Sequence, residues 1–211
     1  MKIAALDMDG TVYVDEHITE AVKEAIAAWR AAGNLAVSAT GKSIANVRGT
    51  LEPFDVKLDY HVLYNGTVLT EGDYTVLHEE HLAADTVTAI AERFTGRALN
   101  IYTTGLTGAD QIVWDGLSGR ESSMVTGAQV ADLEIAAKRD TTLMSLWIPG
   151  DAALRQEVDE WVRANCDVES SFNCDFYDIM PPGHNKGEGL TRLLSTCLLY
   201  TSDAADDMQC V

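Results

Sequence analysis

The sequence predicts an α/β fold, in which a Rossmann-like parallel sheet is interrupted by an inserted α+β unit. Two observations lead to this prediction. Over residues 1–64, short apolar runs alternate with helical segments, which is the pattern of a parallel sheet flanked by helices. From about Leu82 the order becomes helix, two strands, helix, strand, helix and two strands. Because that order is self-contained and ends before Pro181-Pro182-Gly183, we expect one domain inserted into another.

The N-terminal part is predicted to alternate strands and helices. Residues 3–6 form a short apolar run, which favours a buried strand. Residues 19–32 carry apolar side chains at helical spacing, with Thr19 as the N-cap and Gly33-Asn34 as the stop signal. Further strands are predicted at 35–39 and 61–64, with a short helix towards Leu51 between them, and a hairpin is predicted from 68–69 and 75–77.

The inserted unit is predicted from the same kinds of pattern. Asp151 can cap a helix over residues 151–164, because apolar side chains then fall on one helical face. The remaining helices are predicted at 82–94 and 128–138, and the strands at 98–103, 111–114, 141–148 and twice within 168–180.

Composition excludes several classes of function. The chain has 211 residues, of which 46% are hydrophobic and 23% charged, the balance of an ordinary globular protein. Acidic residues outnumber basic ones 33 to 15, so the net charge of -18 disfavours nucleic acid and anionic membranes as partners. The four cysteines form no C-x-x-C pair, and no signal peptide or transmembrane segment is evident. We therefore expect a reduced, cytoplasmic protein.

The chemistry is concentrated in Asp7-Met8-Asp9-Gly10-Thr11, directly after the first predicted strand. Open parallel sheets bind ligands beyond the carboxyl ends of their strands. Two nearby carboxylates can hold Mg²⁺ and can divide the roles of nucleophile and general acid/base. The Gly and Thr that follow allow a tight turn and supply a hydroxyl group. This segment is therefore the first candidate for an active site.

Several motifs resemble those of the haloacid dehalogenase superfamily, and of its Cof-type phosphatase subgroup in particular. Residues 7–12, DMDGTV, resemble the first motif, D-x-D-G-T-[LV]. Thr40-Gly41 resembles the second motif, and residues 39–43, ATGKS, differ from the subgroup form A-T-G-R-S by one Lys for Arg. Asn65-Gly66 resembles the N-G that precedes the cap, and residues 179–187 resemble the segment around the third-motif lysine, Lys186.

The resemblance covers residues 1 to about 196 and implies a domain plan. The inserted unit falls between the second and third motifs, where this subgroup carries its large cap. The expected core is discontinuous, formed by residues 1–80 and 182–196. The expected α+β cap spans residues 81–181.

The same resemblance implies a Mg²⁺-dependent phosphatase of small phosphorylated metabolites such as sugar phosphates. Asp7 would attack phosphorus and form an aspartyl phosphate, and Asp9 would protonate the leaving oxygen and then activate water. Thr40 and Lys186 would stabilise charge on the transferred phosphoryl group. Asp7, through its carboxylate, and Asp9, through its backbone carbonyl, would hold Mg²⁺. The remaining expected phosphate or substrate contacts are Thr11, Gly41, Lys42 and Asn65.

Two alternative functions stay open at this point. One is a phosphomutase of the same superfamily, which release of inorganic phosphate without a bisphosphate activator would separate from a phosphatase. The other is a phosphometabolite-binding protein without turnover. We do not predict a zinc site, because His78 and His81 are three residues apart and have no further ligands at zinc spacing.

The family pattern ends early. A fourth motif, an apolar strand ending in G-D-x-x-[ND]-D, is expected well beyond Lys186. Asp203 and Asp207 have the acid spacing, but Asp203 is only 17 residues beyond Lys186 and no glycine precedes it. Residues 197–206, CLLYTSDAAD, are what TGT CTC TTA TAC ACA TCT GAC GCT GCC GAC encodes, and those bases resemble a transposon-end sequencing adaptor.

We therefore expect residues 197–211 to be a non-native tail that follows a gene fragment ending near Thr196. The fourth-motif acids would then lie outside this sequence, and the 211-residue chain would hold Mg²⁺ weakly. Continuing the reading frame through the source DNA is expected to reveal an apolar strand that ends in Gly-Asp.

Overall fold

The computed structural model describes residues 1–120, 122, 125 and 127–197, and divides the chain between two units. The first unit is formed by Met1–Glu79 together with the chain from His184 onward. The second unit is Glu80–Gly183, inserted between the two parts of the first. Its assignment as a cap stays a prediction, and the predicted tail lies outside the described residues apart from the helical end at Cys197.

In the described part of the first unit, five strands form one sheet in the order of the chain. The first three are parallel, and the last two add an antiparallel hairpin. Leu6 pairs with Ser38, and Ala39 pairs with Val62, so the carboxyl ends of the first three strands meet at one edge. The strands are β1 (Ile3–Leu6), β2 (Leu35–Ala39), β3 (Tyr60–Leu63), β4 (Val68–Glu71) and β5 (Val76–Glu79).

The first two helices have the N-caps that their sequences favour. Helix α1 spans Glu20–Ala31, and the Thr19 hydroxyl accepts a hydrogen bond from the Val22 N–H at 3.4 Å. Helix α2 spans Ile44–Leu51, and the Ser43 hydroxyl accepts from the Asn46 N–H at 3.2 Å. The predicted helix at 19–32 and its Thr19 N-cap are thereby confirmed.

Six strands among the described residues of the second unit form a sheet in the order β10-β11-β9-β6-β7-β8. Neighbouring strands are antiparallel, except that β7 and β8 are parallel. The strands are β6 (Asn100–Thr104), β7 (Gln111–Asp115), β8 (Gln129–Val130), β9 (Leu143–Trp147), β10 (Glu169–Asn173) and β11 (Phe176–Met180), and the helices are α3 (Ala84–Phe94), α4 (Leu133–Ala136) and α5 (Ala152–Asn165).

The core of the second unit lies between its sheet and the helices α3 and α5. Phe94 from α3 and Val158 from α5 are fully buried in one apolar cluster with Ile101 of β6. The predicted Asp151 N-cap is confirmed, because the Asp151 carboxylate accepts from the Leu154 N–H at 2.9 Å. Burial of this apolar surface is the main stabilising term for the unit.

The helix predicted at 128–138 is wrong over most of its length. Its first residues form strand β8, which pairs with β7, and only the single turn of α4 is helical. The Ala131 N–H donates to the Ile112 carbonyl at 3.1 Å, so strand pairing has replaced the local helical bonds. Pairing with a distant part of the chain has overridden a weak helical propensity.

The chain returns to the first unit as α6 (Lys186–Cys197). Its Leu193 packs into a buried cluster with Val37 of β2 and Val62 of β3, so α6 covers one face of the sheet. The predicted α/β fold with an inserted α+β unit is confirmed. Among the described helices none is long and apolar enough to cross a membrane.

Candidate active site

The loop after β1 is held by its own backbone and turns two acidic side chains outward. The Met8 carbonyl accepts hydrogen bonds from the N–H groups of Thr11, Val12 and Tyr13, at 3.3, 3.1 and 2.8 Å. Gly10 adopts a φ of +75°, which glycine permits at little cost. Met8 is fully buried, whereas the side chains of Asp7 and Asp9 are 50% and 53% exposed. The loop is therefore anchored while its carboxylates stay accessible.

Each of these carboxylates is paired with a lysine from a different part of the chain. Lys186 Nζ lies 3.1 Å from Asp7 Oδ1, and Lys42 Nζ lies 2.9 Å from Asp9 Oδ1. Lys186 starts α6, and Lys42 lies in the loop between β2 and α2, so four predicted residues from three chain segments meet here. These ammonium groups supply local positive charge in a strongly acidic protein, as an anionic substrate requires.

Thr40 lies at the carboxyl end of β2 and is almost completely buried. Its Oγ1 accepts a hydrogen bond from the Lys42 N–H at 3.2 Å, and its backbone carbonyl accepts from the Asn65 N–H at 3.1 Å. A threonine hydroxyl that accepts one hydrogen bond can still donate its own proton. Thr40 thus ties the loop after β2 to the turn after β3 and retains a donor for a ligand.

Asn65 and Gly41 belong to one close contact. Asn65 adopts a left-handed conformation with φ of +56°, in a single 3-10 turn over Tyr64–Gly66, and it is buried. A Cβ atom on Gly41 would lie 2.9 Å from Asn65 Oδ1, closer than real Cβ contacts come. The A-T-G and N-G segments are therefore packed against each other, which explains why glycine follows Thr40.

The turn after β3 also sets the position of Lys186. A Cβ atom on Gly66 would overlap the Asn185 carbonyl, and Gly66 has a φ of +103°. Asn185 in turn caps α6, because its Oδ1 accepts from the Glu188 N–H at 2.9 Å and its carbonyl accepts from the Gly189 N–H at 2.8 Å. Backbone packing against Gly66 thus locates the start of α6.

Thr11 is the predicted site residue that the structure does not bring to the others. It is exposed, and within the described part of the chain its side chain makes no hydrogen bond to the other predicted residues. The remaining predicted residues form a connected set, namely Asp7, Asp9, Thr40, Gly41, Lys42, Asn65 and Lys186.

The donor set of the loop fits Mg²⁺. Carboxylate and carbonyl oxygens are the ligands this cation prefers, and Asp7 and Asp9 offer them from one short turn. Both carboxylates already attract a cationic group, since Lys186 and Lys42 contact them within 3.1 Å. The oxygen atoms of Asp7 and Asp9 are therefore of the type that would hold a hard divalent cation.

Sequence reasoning missed a cluster formed by His78, His184 and Arg192. Arg192 Nη1 lies within 2.7 Å of the Nε2 atoms of both histidines. The spacing rules for zinc ligands could not reveal it, because His78 and His184 are 106 positions apart. The sequence offered one indication that His184 lies near the site, because His184 precedes Lys186 by only two residues.

His61 on β3 is a buried histidine with a structural role. Its Nδ1 lies 2.8 Å from the Ser38 hydroxyl, and its ring stacks on Tyr74 with the centroids 4.7 Å apart. Burial disfavours the charged imidazole and lowers the pKa of His61 to about 4, and a backbone contact with Gly72 partly opposes this shift. The ring is therefore neutral at physiological pH.

The sequence is similar to known proteins. A family model for haloacid dehalogenase-like hydrolases matches residues 4–204. A Bacillus subtilis (strain 168) protein named "Putative phosphatase YxeH" is 36% identical over 94 residues, which are 42% of this chain and 34% of that protein. The alignment thus spans about a third of that relative.

Solved structures share the fold at lower sequence identity. The sugar phosphatase BT4131, of HAD subclass IIB, is 18% identical with a TM-score of 0.75, over 94% of this chain and 77% of that one. A haloacid dehalogenase-like hydrolase from B. subtilis is 16% identical with a TM-score of 0.73, over 94% of this chain and 79% of that one. At such low sequence identities, the similarity shows that the two units have the same fold as these structures and shows nothing about activity.

Proposed function

The chain belongs to the haloacid dehalogenase-like hydrolases, and on that premise we propose that it is a Mg²⁺-dependent phosphatase of small phosphorylated metabolites such as sugar phosphates. The observation that carries the proposal is the meeting of Asp7 and Asp9 with Lys186 and Lys42. Carboxylates serve as nucleophile and acid/base, and ammonium groups receive the phosphoryl oxygens. The name of the B. subtilis relative and the sugar phosphatase of the same fold support this choice.

In the proposed reaction Asp7 is the nucleophile. A carboxylate oxygen of Asp7 forms a bond to phosphorus while the bond from phosphorus to the substrate oxygen breaks, giving an acyl phosphate on Asp7. Asp9, protonated at that moment, gives its proton to the leaving oxygen, so that an alcohol departs. Asp9 then takes a proton from water, and the water oxygen bonds to phosphorus while the bond between phosphorus and the Asp7 oxygen breaks, so inorganic phosphate leaves and the Asp7 carboxylate is regenerated.

The other residues of the site orient and stabilise the phosphoryl group. Lys186 and the Thr40 hydroxyl are proposed to donate to its oxygens, because charge grows there as the reaction proceeds. Lys42 is proposed to contact the same group when it leaves Asp9, and Asn65 and Gly41 are proposed to shape the pocket. These roles are supported by the contacts that join the loops after β1, β2 and β3.

Mg²⁺ is the proposed cofactor, held by the Asp7 carboxylate and the Asp9 backbone carbonyl. When bound, it neutralises negative charge on the phosphoryl oxygens. The second unit is proposed to act as the cap that selects the substrate, since loops and inserted units on a common core commonly determine specificity.

A release assay tests the proposal. Phosphate release from a panel of sugar phosphates is measured with Mg²⁺ and with EDTA, using the 211-residue chain and a chain whose reading frame continues through the source DNA. We expect Mg²⁺-dependent release without a bisphosphate activator, and we expect it to be weaker in the 211-residue chain than in the chain with the continued reading frame. Asp7→Asn should abolish it, whereas Asp15→Asn, the same change at an exposed position of the following turn, should leave it unchanged. Equal release by the two variants would contradict the proposal.

A further inference from the structure

His78, His184 and Arg192 form a compact cluster within the first unit. His78 lies on β5, His184 lies in the loop before α6, and Arg192 lies on α6. Arg192 Nη1 is 2.6 Å from Nε2 of His78 and 2.7 Å from Nε2 of His184. The two Nε2 atoms are 3.4 Å apart, and the rings are parallel within 3°.

The chemistry of the three groups fixes how the protons are arranged. A guanidinium group donates hydrogen bonds and cannot accept them, so each imidazole must present a lone pair at Nε2. Both rings are then neutral, with their proton on Nδ1. The lone pairs of two such rings would repel each other at 3.4 Å. Arg192 Nη1 carries two hydrogens and can donate one to each Nε2 atom. These two charge-assisted hydrogen bonds offset the repulsion between the lone pairs.

The cluster lies next in the chain to the lysine of the active site. His184 is buried and precedes Lys186 by two residues, and Lys186 Nζ lies 3.1 Å from Asp7 Oδ1. Arg192 therefore ties the loop that leads into α6 to a later turn of the same helix and to the neighbouring β5. Lys186 lies between His184 and Arg192 in the chain, so the contact between these two residues restrains the backbone before and after Lys186.

We propose that Arg192 is a positioning residue, which clamps His184 and His78 and thereby holds the backbone of Lys186 in place for phosphoryl transfer. The expected effect of Arg192 on kcat rests on the proposed phosphatase function. The positions of the imidazole protons and the contacts of Arg192 with the two histidines do not depend on that function. A displacement of a catalytic group by about 1 Å can lower turnover by about 10²-fold, so a positioning role has a measurable effect.

Kinetics of three variants test the positioning role. Arg192→Met keeps an unbranched aliphatic stem and removes the donors of the guanidinium group, so kcat should fall between about tenfold and about a hundredfold with a smaller change in KM. Arg192→Lys keeps a charged nitrogen that can donate to both rings, and it should restore most of kcat. Arg48→Met, at a half-exposed arginine of α2, should have wild-type kcat. Equal kcat for Arg192→Met and Arg48→Met would overturn the proposal.

Spectroscopy of the imidazole nitrogens tests the clamp without any turnover. Long-range ¹H–¹⁵N spectra of the 211-residue chain at neutral pH should show the proton of His78 and of His184 on Nδ1. A proton on Nε2 of either ring would overturn the clamp. If these spectra agree while neither the 211-residue chain nor the chain with the continued reading frame hydrolyses a substrate, the proposed function fails and the clamp stands.

Metal binding gives a second readout that is independent of activity. Two imidazole nitrogens 3.4 Å apart have the spacing of two ligands on one tetrahedral Zn²⁺, and Arg192 occupies the point between them. We expect Zn²⁺, measured by calorimetry, to bind Arg192→Met more tightly than the wild-type chain. Zn²⁺ binding that is stronger in the wild-type chain would identify the cluster as a metal site and overturn the proposal.

Discussion

In the first unit, charged side chains gather where the parallel strands end, whereas in the second unit polar side chains lie within the sheet itself. Asp7 and Asp9 are about half exposed and depend on backbone hydrogen bonds for their position. In the second unit, Ser145 Oγ donates to Asp178 Oδ1 at 2.7 Å, and both residues are buried. Polar groups that react must be accessible to the substrate. Polar groups that are buried in a sheet must instead form hydrogen bonds with one another.

The difference predicts which property each region controls. Substitutions at the strand ends of the first unit should change activity more than stability, unless they disturb the backbone packing around Gly66. Substitutions inside the second unit should change stability and leave the chemistry intact, because its core depends on buried apolar area and satisfied hydrogen bonds.

Outside the two aspartates, the largest expected effect is at Lys186. Lys186→Met removes a donor that is proposed to meet charge developing on the phosphoryl group, so kcat should fall by about 10²–10³-fold. The thermal midpoint should change little, because the Lys186 side chain is 42% exposed. Steady-state kinetics and a melting curve measure both quantities. Lys57→Met, at an exposed lysine of the same unit, is the control and should retain full activity.

Gly66 tests a place in the first unit where backbone packing controls the site. Gly66→Ala should lower the free energy of unfolding by about 3 kcal/mol, because the new Cβ overlaps the Asn185 carbonyl and the φ of +103° is strained for alanine. Turnover should fall as well, since Asn185 precedes Lys186.

Gly33 is the matched control for that substitution. It has a φ of +79° and open space where a Cβ would lie, so Gly33→Ala should cost about 1 kcal/mol and leave turnover unchanged. Urea denaturation compares the two variants. Equal losses would mean that the contact between Gly66 and Asn185 does not determine the position of α6.

His61 predicts a pH dependence of stability in the first unit. Its pKa in the folded state, about 4, lies below the value of 6.5 expected when it is exposed. The unfolded chain therefore binds the proton first, and stability falls as the pH drops from about 6.5 towards 4, by up to roughly 3 kcal/mol. Above pH 6.5 this contribution is fully present.

A double variant isolates the contribution of His61. His61→Phe with Ser38→Ala replaces the hydrogen-bonded pair by apolar groups and keeps an aromatic ring against Tyr74. Denaturation at pH 7 and pH 4.5 should show a smaller loss of stability for this variant than for the wild-type chain. The same loss in both would assign the pH dependence to other groups.

The smallest expected effect is at Tyr177 in the second unit. Its hydroxyl donates to Asp159 Oδ1 at 2.9 Å and lies 2.8 Å from Ser170 Oγ, and burial raises the pKa of Tyr177 to about 12. Tyr177→Phe should lower the free energy of unfolding by about 1 kcal/mol, since it removes hydrogen bonds and retains the buried ring. Turnover should be unchanged. A loss of turnover with unchanged stability would contradict the division between the two units.

The sequence predicted local structure well where local signals agree with the fold. The bounds of β1 and β2 are those expected, and Thr19 and Asp151 cap the helices that they were predicted to cap. These features depend on residues close together in the chain, so periodicity and capping preferences can detect them. The helix predicted at 128–138 fails because β8 forms through pairing with β7, which no local pattern records.

The residues predicted for the candidate site lie together except for Thr11, but most of the contacts between them were not predicted. The strand end after β1 and the family resemblance predicted Asp7, Asp9 and Thr40 as site residues, but they did not predict that Lys42 pairs with Asp9. The association of His78 with Arg192 arises from the packing of β5 beside α6, so no spacing along the chain contains it. Such contacts depend on tertiary structure and require coordinates.

The identity of Asp7 as the nucleophile is the central claim, and a chemical trap tests it most directly. The protein is mixed with a phosphomonoester and Mg²⁺, quenched in acid, and digested for peptide mass spectrometry. The account predicts a phosphoryl group on Asp7 that is absent in Asp7→Asn, and with a phosphomonoester whose leaving group departs without a proton it should increase in Asp9→Asn, because water is then not activated. Steady phosphate release with no phosphoryl group on Asp7 in either the wild-type chain or Asp9→Asn would contradict it.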